Sequence, residues 1–242
     1  MAAPPPKVIF LDAAGTLFQV RGSVGQIYAQ VATTYGIAIS AAELDRAFRQ
    51  SFCTAPAMAV TSAAGEYQWW HALVRDCFKH LLDHCNHPAI GDFLSSPVFN
   101  EYFAELFALF ATADPWELLP GVISALCQWR SHDIKLGICS NFDRRLHPLL
   151  DALNLTPHFD SVTISGTLGV AKPDPRIFGH AAAQHGYELP NPQLWHIGDH
   201  YGEDYQGATA AGMTGLWLSP GQTLDQVYAA AIQGLSPATP PD

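Results

Sequence analysis

Charge is scarce in this 242-residue chain: Asp, Glu, Lys and Arg make up 14% of it, against 48% apolar residues. A chain so poor in charge buries a sizeable core, which excludes disorder as its overall state. Positive charge is the scarcer sign, with 12 Lys and Arg facing 22 Asp and Glu for a formal net charge of −10. No basic cluster offsets that balance, which argues against a nucleic-acid backbone as partner. Long apolar runs are missing too: no segment approaches the roughly 20 residues that span a bilayer. Met1 to Lys7 has no apolar signal core. Cysteine is sparse and odd in number: Cys53, Cys77, Cys85, Cys127 and Cys139 include no C-x-x-C pair. They read as reduced thiols rather than a disulfide framework. The expectation is a soluble, cytoplasmic protein with no nucleic-acid or membrane partner and an oligomeric state that the sequence does not encode.

What is present is an alternation. Lys7 to Asp12 (KVIFLD) is a short apolar run ending in an acid, the pattern of a buried parallel strand. Ala13 to Gly22 reads as a loop, and Ser23 to Tyr35 as a helix stopped by Gly36. Ser40-Ala41-Ala42-Glu43 is a capping-box pattern opening a second helix through about Phe52. Tyr67 to Cys85 predicts a third helix, and Phe99, Phe103, Phe107 and Phe110 mark a fourth. After Pro115 strands return: Ile134–Cys139, Ser161–Ser165, Leu194–Ile197 and Gly215–Leu218, separated by helices at Val122–Arg130, Arg144–Leu153, after Pro175 and at Glu203–Ala211. The predicted fold is α/β, a doubly wound parallel sheet with an inserted helical cap. Residues 1–17 and 115–235 would form the core, 18–114 an all-helical insert, and 236–242 a disordered tail.

Ligands of an open parallel sheet collect at the carboxyl ends of its strands. Four predicted strand ends there carry reactive residues: Asp12-Ala13-Ala14-Gly15-Thr16, Ser140-Asn141, Lys172-Pro173-Asp174-Pro175, and Gly198-Asp199 running on to Asp204. A carboxylate can attack an electrophile and divide one hard step into two. A hydroxyl and an ammonium suit the remaining oxygens of a phosphoryl group. Paired carboxylates suit a hard cation, for which magnesium is the usual choice beside phosphate. Each element has a plainer reading: Asp12 as a turn residue, Ser140-Asn141 as a helix start, Lys172 as a solvated lysine, Asp204 as a residue favoured at a helix N-terminus. Their order along the chain is what raises them together.

Those segments resemble the four motifs of the haloacid dehalogenase superfamily: D-A-A-G-T-L the nucleophile loop, C-S-N the Ser/Thr motif, A-K-P-D-P-R-I-F the lysine motif, and I-G-D-x4-D the acidic motif. The insert after the first motif is similar to the small helical cap of one subfamily. The resemblance spans residues 7–220. It implies hydrolysis of a small phosphorylated metabolite with Mg2+, and a catalytic set of Asp12, Ser140 and Lys172. Thr16 and Asn141 would bind substrate; Asp12, the Ala14 carbonyl, Asp199 and Asp204 would serve the metal. In the plainer reading of Asp204, Glu203 would take its place at the metal.

One position departs from the pattern. Phosphatases of this superfamily carry a second aspartate two residues after the nucleophile, and here that position is Ala14. General acid–base help is worth about 10²–10⁴ in rate, so an alkyl phosphate would turn over slowly. His200 is the better placed replacement acid, ahead of His147. A 2-haloacid dehalogenase, with Arg46 and Arg49 holding a carboxylate, is one alternative; Gly198-Asp199, the metal-binding form of the motif, argues against it. A silent member that binds an anion or a partner is another. A Schiff-base enzyme would need a cap lysine, and the only one, Lys79, stands late in the third helix. His80, His84 and His87 with Cys85 make no complete zinc set and read as a polar helix stripe.

Overall fold

Val8–Leu11 (β1) is fully buried along its whole length, because helices cover both faces of the sheet it centres. The computed structural model describes residues 4–56, 58, 61–85 and 88–234. The tail 236–242 lies outside them. Beside β1 run Lys135–Ser140 (β4) and Leu194–Gly198 (β6), flanked in turn by Ser161–Ile164 (β5) and Thr214–Trp217 (β7). The five strands are parallel, in the order β5-β4-β1-β6-β7. The chain winds outward from β1 through β4 to β5, then returns to the other side of β1 for β6 and β7. The reversal opens a crevice between β1 and β6, where such sheets bind ligands. Leu11 pairs level with Ile138 and Ile197, so Asp12 leaves the sheet beside Gly198.

Helices Val122–Ser131 (α6), Leu146–Ala152 (α7), Ser165–Leu168 (α8), Pro175–Ala183 (α9), Gly207–Ala210 (α10) and Leu224–Gln233 (α11) complete this part of the chain. Period-two alternation turns Val8 and Phe10 to the face covered by Ile177, Phe178 and Ala181 of α9. Pro175 starts α9 where its missing N–H is no loss, and the Asp174 side chain caps the Arg176 N–H.

Of the described residues, those up to Gln19, Thr61 and those from Leu118 on form one compact unit; Val20–Met58 and Ser62–Glu117 form the other. The second unit contains Val24–Thr34 (α1), Ala41–Thr54 (α2), Ala63–Cys85 (α3), Pro88–Ser95 (α4) and Val98–Leu109 (α5). The capping box at Ser40 forms as the sequence predicts, with Ser40 and Glu43 bonding reciprocally. Gly25 is where α1 meets α2: its N–H donates to Asp45 Oδ1 at 2.7 Å, and a Cβ there would stand 2.1 Å from the Ala41 carbonyl oxygen. The interior is aromatic, with Phe78, Phe93, Phe99 and Tyr102 in mutual ring contact.

Two expectations are corrected. The 18–114 stretch is not wholly helical, since Phe18–Val20 (β2) pairs with Trp116–Leu118 (β3) in a separate two-stranded sheet. Three residues are too few for periodicity to reveal a strand. The helix expected at Glu203–Ala211 begins earlier, as a π-helical turn over Tyr201–Gln206 that passes into α10. Helices α4, α8 and α11 were not expected, although Thr223 and Gln226 form a capping box in front of α11.

Burial sorts the cysteines. Cys77 and Cys139 are buried, and desolvation pushes their thiols up to about 11 and about 12; Cys53 and Cys127 are exposed. The thiolate is the reactive form. At pH 8, iodoacetamide should therefore label Cys53 and Cys127 in the native protein and reach Cys77 and Cys139 only after denaturation, as read by peptide mass spectrometry.

Candidate active site

Asp12 and Asp199 each stand one residue beyond a central strand, so their positions are set by the sheet rather than by a loop. The loop after Asp12 folds back tightly: Leu17 N donates to the Ala13 carbonyl at 2.8 Å and Gly15 N to the Phe18 carbonyl at 2.8 Å. Gly15 has φ +90°, a left-handed value that suits glycine. A Cβ there would also lie 2.4 Å from Asp199 Oδ2, so glycine is what lets the two strand ends approach.

Lys172 joins the carboxylates. Its Nζ donates to Asp12 Oδ1 at 2.7 Å and to Asp204 Oδ1 at 2.6 Å, in a position 4% exposed. Burial opposes its charge, but Asp12 and Asp204 more than reverse that and hold the ammonium protonated, its pKa raised. Burial likewise opposes ionisation of Asp204, and Lys172 with His196 carries its carboxyl well below the usual range. Asp204 Oδ2 accepts from the His200 backbone N–H at 2.9 Å. The π-helical turn brings this carboxylate back over the sheet, and Gly198 makes room: a Cβ at 198 would stand 2.1 Å from Asp204 Cγ.

Asp199 is the odd member. Lys172 bonds the other two, while Asp199 Oδ1 accepts from the Thr16 hydroxyl at 3.1 Å. The residue is exposed, yet its carboxylate is hemmed in; desolvation first, then Asp12 and Asp204, raise it to about 6. Ligand oxygens of Asp12, Asp199 and Asp204 lie within 4.8 Å of one another. Among the described residues this is the only such group of three or more His, Cys, Asp or Glu. One ammonium against three carboxylates leaves a surplus of negative charge, and that donor set fits a hard divalent cation.

The remaining expected residues divide. Ser140 ends β4 and is 2% exposed. Thr16 is fully buried against Asp199. The Asn141 side chain is spent on the protein: Oδ1 accepts from the Lys172 N–H at 2.7 Å, and Nδ2 donates to the Lys172 carbonyl at 3.0 Å and to Glu203 Oε2 at 2.8 Å. Ala14 faces Phe18 in an isolated bridge. His200 caps the π-helical turn, its Nδ1 accepting from the Glu203 N–H at 3.1 Å; His147 is exposed on α7. Arg46 and Arg49 are exposed on α2, and Lys79 pairs with Asp76 at 2.9 Å. His87 and the side chains of His84 and Cys85 lie outside the described residues. His196, bonded to Asp204 at 2.8 Å, was missed by the sequence reading. Its signal was present as one polar residue in the apolar run LWHI.

Asp199 carries a pH signature. Its pKa is raised on folding, so ionising it costs the metal-free fold stability as pH climbs from about 4 through 6. Asp199→Asn should raise the Tm at pH 7.5 in chelator, by about 1 kcal/mol after solvent screening or about 2–4 °C. The gain should shrink as pH falls from 6 to 4 and vanish near pH 3, where the aspartate is protonated in both states.

A family profile described as haloacid dehalogenase-like hydrolase matches residues 6–212. Haloacid dehalogenase-like hydrolase domain-containing protein 3 of Bos taurus is 32% identical over 223 residues, covering 90% of this chain and 84% of that protein. Among solved structures, a HAD phosphatase from Thermococcus onnurineus aligns with TM-score 0.59 at 22% identity, covering 89% of this chain and 88% of its own. A HAD-hydrolase from Bacillus subtilis, bound to magnesium, aligns with TM-score 0.64 at 15% identity, covering 94% and 99%. At those identities the structures speak for the fold alone. The sequence match is broader in meaning, and by it the chain belongs to the haloacid dehalogenase-like hydrolase family and is a hydrolase.

Proposed function

We propose that the protein hydrolyses a small phosphorylated metabolite through a covalent aspartyl-phosphate on Asp12, with Mg2+ bound between Asp12, Asp199 and Asp204. The observation that supports it best is the buried Lys172 bridge between Asp12 and Asp204, with Asp199 facing them and unneutralised. In this reading residues 18–114 are the inserted cap and the rest of the folded chain is the catalytic core. Asp12, Asp199, Asp204 and the Ala14 carbonyl would hold the cation, which supplies positive charge against the phosphoryl oxygens when bound.

Asp12 attacks phosphorus. Lys172 holds Oδ1, which leaves Oδ2 as the attacking oxygen. The P–O bond to the leaving group breaks, and the alcohol oxygen departs with the electron pair. Lys172 and the Ser140 hydroxyl bind the transferred group as its charge redistributes. Water then attacks phosphorus and the P–O bond to Asp12 breaks, giving phosphate and a free carboxylate, while the proton that the water loses passes through solvent to the departed oxyanion. Thr16 keeps Asp199 oriented, and Asn141 keeps the Lys172 backbone in place, rather than meeting substrate first.

Ala14 sets the substrate preference. With no carboxyl at that position, an alkoxide leaves without a proton donor, whereas a phenolate or other stable anion leaves unaided. Wild type should hydrolyse para-nitrophenyl phosphate in Mg2+, and Asp12→Asn should abolish both turnover and the fluoroberyllate adduct. Equal residual activity in the two proteins would discard the nucleophile assignment. Binding of magnesium plus phosphate without any turnover would replace hydrolysis by anion binding, and metal-independent chloride release from 2-chloropropionate would replace it by dehalogenation. Ala14→Asp should raise kcat on an alkyl phosphate by about a hundredfold, the low end of general acid–base help, and change para-nitrophenyl phosphate far less. No difference between the two esters would mean that another group already donates the proton.

A further inference from the structure

His196 occupies the middle of β6, level with Phe10 of β1 and Gly215 of β7, and is fully buried. Such a position ordinarily takes an aliphatic residue. The imidazole packs against Phe178 in a T-shaped contact, 5.3 Å between ring centroids. Nε2 lies 2.8 Å from Asp204 Oδ1, and Nδ1 is buried with no hydrogen-bond partner. A carboxylate oxygen can only accept, so Nε2 carries the proton it shares with Asp204, and Nδ1 is the orphaned nitrogen. An aliphatic side chain would fill the same space with no orphaned atom. What the imidazole adds is a donor to Asp204.

That donor falls on the oxygen that also accepts from Lys172. Asp204 Oδ1 takes Nζ of Lys172 at 2.6 Å and Nε2 of His196 at 2.8 Å; Oδ2 takes the His200 N–H at 2.9 Å. Both oxygens are tied, one to the sheet through β6 and one to the backbone of the turn. We propose that His196 is a positioning residue, which locks the Asp204 carboxylate so that the Lys172 ammonium stays on Asp12. Without it, Asp204 can turn about its Cβ–Cγ bond and follow Lys172 away from Asp12. The inference extends the proposed hydrolysis, and only its kinetic arm rests on that reading.

The test compares two variants at one position. His196→Phe fills the ring space without a donor; His196→Gln places an amide N–H where Nε2 stood. On para-nitrophenyl phosphate in Mg2+, His196→Phe should lower kcat about 10–100-fold, the usual effect of losing a group that orients a site carboxylate. KM should move far less than kcat, and His196→Gln should recover most of the loss. A second readout needs no turnover. Of the four lysines, Lys7, Lys79 and Lys135 are exposed, so in 15N-lysine-labelled protein the slowly exchanging ammonium signal belongs to Lys172. That signal should shift in His196→Phe and return in His196→Gln. If Phe does not fold, His196→Asn takes its place, since its amide stops short of Asp204. Equal losses in the donor and non-donor variants, or a Lys172 signal unmoved without the donor, would overturn the positioning role. Absence of turnover in wild type would sink the hydrolysis reading alone, leaving the ammonium signal to decide this one.

Discussion

A buried ammonium has to be answered by buried carboxylates, and around Lys172 that requirement organises the whole strand-end region. Leaving such a charge without one of its partners typically costs about 3–5 kcal/mol. Lys172 therefore ties together three distant parts of the chain: the end of β1 at Asp12, its own loop before α9, and the turn after β6 at Asp204. The interaction is as much a structural clamp as a chemical one. Asn141 reinforces it from just beyond the end of β4 by bonding both backbone groups of Lys172.

The clamp leaves a residue of negative charge. Lys172 answers Asp12 and Asp204, while Asp199 stays close to both with a raised pKa. A site that gathers carboxylates beyond its internal cations is poised for an external one, and the close approach depends on Gly15 and Gly198, where any Cβ would collide with Asp199 or Asp204. This charge surplus is what supports the proposed cation. In the proposed hydrolysis Ala14 is the exception, a position with no carboxyl to donate a proton.

Much of the architecture was readable from pattern. The apolar run before Asp12, the capping box at Ser40 and the Pro175 start of α9 each act through local chemistry, and each produced the expected element. The misses share a different cause. Strands β2 and β3 are three residues each, and α8 is a single turn, so none spans a full hydrophobic period. The π-helical turn at Tyr201–Gln206 hides for a related reason: its hydrogen bonds skip one residue more than an α-helix, and side-chain periodicity over six residues does not register that.

By itself the sequence determined that parallel strands present a set of candidate reactive residues, because strand-end acids, a lysine in a Pro-flanked loop and apolar runs are local properties. It also determined that position 14 has no carboxyl. Only the tertiary structure decided who answers whom. Lys172 chose Asp12 and Asp204 over Asp199, Thr16 and Asn141 turned toward protein partners, and His196 emerged as the hidden neighbour of Asp204. Those pairings are set by distances of about 3 Å between residues as many as 183 positions apart. Hydrogen bonds and ion pairs between charges depend on spacing in the fold, which no linear pattern contains.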